Sequence, residues 1–167
     1  MQALLDALQQ ELLYQMPNTL QFVRVTLRLV MAALIAGVIG WEREGEGKAA
    51  GLRTHMLVSL GSALFVLSAL ESGARPEDVT RVTQGITAGI GFIGGGVILK
   101  LTEERRVHGL TTAATIWLAA ALGVAAGLGR VGAAVVGLLC AWVILRVLLQ
   151  VEKRLDINQP ESKHDNA

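Results

Sequence analysis

The sequence predicts an all-α fold, a polytopic membrane helix bundle of about five transmembrane helices. Three observations predict it. Apolar residues make up 52% of the 167-residue chain and gather into five long runs. Charged residues are only 17% and sit between those runs, and glycine recurs inside them at four-residue spacing. An average soluble domain is about a quarter charged and spreads those charges along one face of each helix. The mean hydropathy of +0.50 agrees with the membrane reading. Net charge is +1 and aromatic residues are 4%, so neither a basic field nor stacking platforms for bases are present. Nucleic acid is not an expected partner; the lipid bilayer is.

Residues 1–18 (MQALLDALQQELLYQMPN) form the first segment. It lacks the basic start of a secretory signal and carries Asp6 and Glu11 instead. Leu4, Leu8 and Leu12 share a helical face. This predicts a short amphipathic helix, lying on the membrane surface or packed on the bundle.

Residues 19–150 form the transmembrane domain. A bilayer core of about 30 Å needs about 17 to 25 apolar helical residues per crossing. The first run is Phe22 to Trp41, followed by the charged stretch EREGEGKAAGLR. The second is Thr54 to Leu70, and ESGARPEDVTR with its Pro76 turns the chain. The third, Val82 to Leu99, holds Gly85, Gly89, Gly91, Gly94, Gly95 and Gly96. KLTEERRVHG reads as a polar connection. The fourth run is Leu110 to Leu128, and Gly129-Arg130 separates it from the fifth, Val131 to Leu149. Cys140, inside that last run, reads as a small packing residue. The polar tail 151–167 is expected on the cytoplasmic side.

Basic residues set the orientation. With the N-terminus outside and the C-terminus inside, the inner segments hold Arg43, Lys48, Arg53, Lys100, Arg105, Arg106, Arg146, Lys153, Arg154 and Lys163. The outer ones hold half as many: Arg24, Arg28, Arg75, Arg81 and Arg130.

Lipid tails are as apolar as leucine, so membrane helices associate through small residues that let backbones approach. Gly85 with Gly89, Gly91 with Gly95, Gly123 with Gly127, and Ala133 with Gly137 supply such pairs. The third helix is therefore expected at the centre, with Gln84, Phe92, Gly94 and Gly96 among its packing residues and Thr111 and Thr112 beginning the fourth. Gly89-x-Gly91-x-x-Gly94 spells a dinucleotide fingerprint, but no strand precedes it and it lies inside an apolar run. It reads as packing.

Two charged clusters stand out. On the inner side, Glu42, Arg43, Glu44 and Lys48 leave the first helix while Arg53 and His55 open the second. Orientation alone needs only lysine and arginine, so the carboxylates suggest paired charges at a partly desolvated helix interface. On the outer side, Arg28 lies about a turn inside the apolar boundary, where a charge must snorkel or pair. Glu71, Asp78 and Arg81 are the nearby charges, and pairing of Arg28 with Glu71 or Asp78 is expected. Thr83, Gln84 and Thr87, like Thr111, Thr112 and Thr115, are expected to hydrogen-bond between helices.

Catalysis finds no support. His55, His108 and His164 lack metal-ligand spacing, and no serine or cysteine has a partner base. No cofactor is expected. The inner carboxylates leave Mg2+ open as a ligand without requiring it, so the metal assignment stays unknown.

The blocks GWEREGEGKAAGLRTHMLVSLGSALF, DVTRVTQGITAGIGFIGGGVIL and VHGLTTAATIW, in that order from Gly40 to Trp117, resemble the MgtC/SapB family of bacterial inner-membrane proteins. Arg28, Glu42, Arg43, Glu44, Lys48, Gly51, Leu52, Arg53, Thr54, Asp78, Arg81, Gln84, Gly89, Gly91, Phe92, Gly94 and Gly96 match the family pattern. The resemblance implies a multi-pass inner-membrane protein linked to magnesium limitation. Family members have been called magnesium transporters from genetic context, while evidence on the best-known ones favours regulation, including restraint of the proton-driven ATP synthase. His108 stands where arginine is common, and Thr111 and Leu118 where a virulence member has asparagine and cysteine. Many members add a soluble C-terminal domain, so a short form is expected here.

Two functional readings follow. One is a non-enzymatic regulator that contacts another inner-membrane protein complex through the charged inner loop and the glycine-rich helix. The other is a transporter or channel component for magnesium or another ion, assembled as a homo-oligomer.

Overall fold

The computed structural model describes residues 1–2, 4–7, 18–101, 106–148 and 150. Residues 4–7 are helical and exposed, and the remainder of the N-terminal segment, with Leu8 and Leu12, lies outside the described residues. So do Arg105 and the tail 151–167, with Lys153, Arg154, Lys163 and His164.

Helix α1 (Thr19–Gly45, 27 residues) starts at Asn18, whose side chain accepts from the Leu20 N–H at 3.0 Å, as a good N-cap does. Gly47, with φ +66°, turns the chain after it. Helix α2 (Leu52–Glu71) starts at Gly51, which has no capping side chain. Glu44 of α1 supplies the acceptor instead, its Oε2 lying 2.7 Å from the Leu52 nitrogen. Helix α3 (Pro76–Gly96) opens with proline and the acids Glu77 and Asp78, which suit its missing donor and positive end.

The predicted polar connection proves to be a small hairpin. Strand β1 (Leu99–Leu101) pairs antiparallel with β2 (Arg106–His108), Lys100 facing Val107. Gly109 then leads into α4 (Leu110–Gly127) with φ +89°, and a Cβ there would run into the Val97 carbonyl. Helix α5 (Val131–Val143) continues through a π turn, Ile144–Leu148.

Helices α1, α2 and α4 are long and apolar enough to cross a membrane, and Val131–Val147 is a shorter apolar helix. Their outward faces carry Phe22, Leu27, Leu34, Leu57, Phe65, Trp117, Leu139 and Trp142, all about half exposed or more. Such a belt would be a very large apolar patch in water. In lipid it is the expected surface.

Contacts fix the directions. Gly40 meets Leu52 and Gly37 meets Met56, so α1 and α2 are antiparallel. Gly123 meets Ser59 and Gly127 meets Ala63, so α2 and α4 run parallel. The chain must therefore recross the bilayer between them, and α3 makes that crossing. Its 21 residues span about 31 Å at 1.5 Å each, matching the hydrocarbon thickness. With α5 running beside α1, the bundle makes five crossings.

The centre is the α1–α2–α4 triple, where Ala32, Ala36, Ala63, Val66, Ile116, Ala119 and Ala126 are fully enclosed. The predicted central place of the glycine-rich helix is corrected. Helix α3 buries only Val79, Ile90 and Gly94. Gly85, Gly89, Gly91, Gly95 and Gly96 have nothing within 4 Å of where a Cβ would sit, Phe92 is 89% exposed, and Gln84 is exposed. The physical reason is that four-residue glycine spacing marks a surface able to pack, not one that is packed within its own chain. Cys140 is likewise exposed rather than enclosed.

Candidate functional site

The end of α1 that meets the start of α2 gathers the buried polar residues. Glu42 and Arg43 close α1 and are 8% and 3% exposed. The Arg43 Nε lies 3.1 Å from Glu42 Oε2, and its Nη2 donates to Glu46 Oε2 just past the helix end. Arg146, on the π turn after α5, brings its Nε to 4.0 Å from Glu42 Oε1. Two acids and two bases thus form one network across two helices. Both Glu42 oxygens and Arg43 Nε are buried without a hydrogen bond in good geometry. Ion-pair attraction alone holds them, an arrangement sensitive to losing either partner. The hydrogen bond from Arg43 keeps the Glu46 carboxyl below its ordinary value.

The sequence placed Arg53 and His55 opposite these acids. Arg53 is exposed and makes no pair among the described residues, and Lys48 is exposed as well. Glu44 caps α2. Arg146, which sequence reading counted only for orientation, is the cross-helix base. Its signal was a lone arginine in an apolar run.

His55 is fully buried between α2 and α4. Its Nδ1 lies 2.9 Å from the Gly51 carbonyl and its Nε2 3.0 Å from Thr115 Oγ1, which is itself 2.9 Å from the Thr112 carbonyl. A carbonyl only accepts, so Nδ1 carries a hydrogen. In the neutral ring Nε2 then accepts, so the single Thr115 proton is shared between Nε2 and the Thr112 carbonyl. Ser59, one turn along, donates to the Ala32 carbonyl at 2.8 Å, tying α2 to α1. Thr112 and Thr115 are buried here, whereas Thr111 is exposed.

At the opposite end the expected pairing of Arg28 with Glu71 or Asp78 is not formed. Arg28 Nη1 donates to the Gly127 carbonyl at 3.2 Å, where the open C-terminal carbonyls of α4 attract a cation. Glu71 accepts from Gln21 instead, and Asp78 pairs locally, with Arg75 just before its helix at 3.4 Å and with Arg81 at 3.5 Å. Arg28 and Glu71 do line one small cavity of about 250 Å3 together with Gln21 and Arg24. A helix end can satisfy an arginine as a carboxylate does, and that acceptor is invisible in a search for opposite charges.

Among the described residues no group of three or more His, Cys, Asp or Glu is placed to hold a metal ion. Between α2 and α3 runs an apolar groove of about 640 Å3, lined by Leu57, Gly61, Phe65, Gly85, Gly89 and Ile93 among others.

Five crossings around a glycine-closed triple, with a buried charge network at one end, define a polytopic α-helical membrane protein. The MgtC family profile matches residues 29–154, so the chain belongs to the MgtC family. It is 41% identical over 140 residues to protein MgtC of Salmonella typhimurium (strain LT2), covering 82% of this chain and 59% of that one. It is 45% identical over 116 residues to protein SrpB of Synechococcus elongatus, covering 63% and 64%. It is 40% identical over 136 residues to YhiD of Escherichia coli K12, which is named as a magnesium transporter, covering 77% and 62%. The chain thus spans about three fifths of the length of these relatives. No solved structure matches.

Proposed function

We propose that this protein is a non-enzymatic regulator in the bacterial inner membrane that acts by contact with another membrane protein complex under magnesium limitation. The magnesium link rests on the family and on the name of its relative YhiD. One observation carries the choice of contact over conduction. The α1–α2–α4 triple is closed by backbone approaches at Gly40, Gly123 and Gly127, with alanine and isoleucine filling its middle. The serines it encloses, Ser59 and Ser62, donate to the Ala32 and Val58 carbonyls, and its charged side chains sit at the ends. A partner fits this arrangement from outside, along the α2–α3 groove and at the exposed Glu44, Lys48 and Arg53 of the charged end, whose buried members Glu42, Arg43 and His55 hold that end in shape. The charged end faces the cytoplasm, following the bias of basic residues.

The second reading, passage of magnesium or another ion, draws support from Glu42, whose two oxygens lack hydrogen bonds. Purified protein in liposomes loaded with a magnesium-sensitive dye separates the two. The regulatory reading expects no flux above empty liposomes, and a site-specific crosslink from Leu57 to one membrane protein in cells. Magnesium flux that Glu42→Gln abolishes would overturn it.

A further inference from the structure

We propose that α3 is a dimerisation helix, and that its face formed by Thr80, Gln84, Thr87, Ala88, Gly91 and Gly95 packs against the same face of a second copy. At 100° per residue these six fall within an arc of about 100°. All six are exposed, and nothing lies within 4 Å of a Cβ built at Gly91 or Gly95. The face is separate from the α2–α3 groove, which Gly85 and Gly89 line from another side of the helix.

Gln84 carries the argument. It lies about one turn beyond Arg81, inside the apolar run that opens at Val82, hence at the outer edge of the hydrocarbon. Its amide has no hydrogen bond among the described residues, whereas its neighbours do. Thr80 donates to the Pro76 carbonyl at 3.0 Å, Thr83 to Val79 at 3.0 Å and Thr87 to Thr83 at 2.9 Å. Together these side chains and Ala88 border a recess of about 440 Å3. Lipid tails offer neither donor nor acceptor, so an amide facing them is heavily penalised. The same polarity explains why α3, although it must cross the bilayer, is not among the helices apolar enough to do so unaided. The groove makes no such demand, because acyl chains fill an apolar cleft as well as leucine does.

A second copy is the occupant that the chemistry fits. Every copy inserts with the same orientation, so two α3 helices meet in parallel about a two-fold axis along the membrane normal. An amide both donates and accepts, so two Gln84 side chains satisfy each other across that axis. Ala88, Gly91 and Gly95 let the backbones approach below them. Above them, Glu77 and Arg81 lie one turn apart on the same side, opposite charges that bring each acid within reach of the other copy's base. A closed two-fold covers the polar face on both copies at once.

The test uses the full chain in its native membrane, with Cys140→Ser removing the only native thiol. Single cysteines at Thr80, Gln84, Ala88, Gly91, Val82, Phe92 and Ile93 are oxidised and the products sized. Expected are dimers of twice the chain mass from Thr80, Gln84, Ala88 and Gly91, and little from Val82, Phe92 or Ile93. Gln84→Leu, a side chain that touches no described partner, should weaken dimerisation about tenfold on dilution in liposomes while leaving the melting temperature of the monomer unchanged. Crosslinks peaking at Val82 and Ile93, products of another mass, or a Gln84→Leu dimer as tight as the wild type would each overturn the proposal. Regulation without this dimer would show as partner crosslinks at Leu57 persisting in Gln84→Leu, so the two claims fail separately.

Discussion

Replacing Gly123 by alanine should loosen the core at a single backbone contact. A methyl there would overlap the Ser59 carbonyl and sit 2.8 Å from both the Ser59 carbonyl carbon and its Cα. All three are main-chain atoms, so no rotamer change relieves the clash. Restoring an ordinary contact of 3.4 Å to the two carbons moves α2 from α4 by at least about 0.6 Å. The His55–Thr115 hydrogen bond of 3.0 Å spans the same two helices and would stretch to about 3.6 Å, beyond useful range. Overpacking costs about 1–3 kcal/mol, and a buried group left unpaired about 1–3 kcal/mol more. Gly61 on α2 is the control, because a Cβ there meets nothing within 4 Å. Reversible unfolding by SDS titration in bicelles should place Gly123→Ala at least about 2 kcal/mol below the wild type. Gly61→Ala should match or exceed the wild type, since alanine is the better helix former by about 1 kcal/mol. Equal effects at the two sites would refute the close approach of α2 and α4.

Other outcomes follow from the charged end. Arg43→Gln strands the buried Glu42 carboxylate, so it should destabilise by about 3–5 kcal/mol, whereas Arg53→Gln on the surface should change stability by less than about 0.5 kcal/mol; thermal melts in detergent compare them. Because Arg43 holds the folded Glu46 carboxyl below its ordinary value of 4.5, that contact contributes fully above this pH and fades as acid titrates folded Glu46. The melting difference between wild type and Glu46→Gln should therefore be constant near neutrality and shrink below about pH 4.5, and a difference that grows with acid would contradict it. Nitrogen-15 spectra of labelled His55 should show a neutral ring protonated at Nδ1, and an Nε2–H tautomer would break the assignment to the Gly51 carbonyl.

Much of the fold could be read from length and charge alone, because a bilayer fixes how many apolar residues a crossing needs. The five runs correspond to α1 through α5, and Gly123 with Gly127 forms the close contact that their spacing suggests. Gly37 and Gly40, which hold α1 on α2, were passed over because they lie three apart rather than four. The hairpin was missed since three-residue strands are too short for alternation to register. At the site, Glu42, Arg43 and His55 declared themselves as charge at a membrane boundary, but their partners did not. Arg146 is about a hundred residues away in the chain, Thr115 is sixty, and the acceptor for Arg28 is a backbone carbonyl that any residue carries. Side-chain identity marks a costly group, whereas folding decides what satisfies it.

The parallel run of α2 and α4, and with it the return crossing by α3, is tested most directly by thiol labelling from each side of the membrane in a Cys140→Ser background. Lys48→Cys and His108→Cys should react from the cytoplasmic side only, and Ser72→Cys and Arg130→Cys from the opposite side only. If Ser72→Cys and His108→Cys react from one and the same side, α3 does not cross, and the five-crossing bundle is wrong.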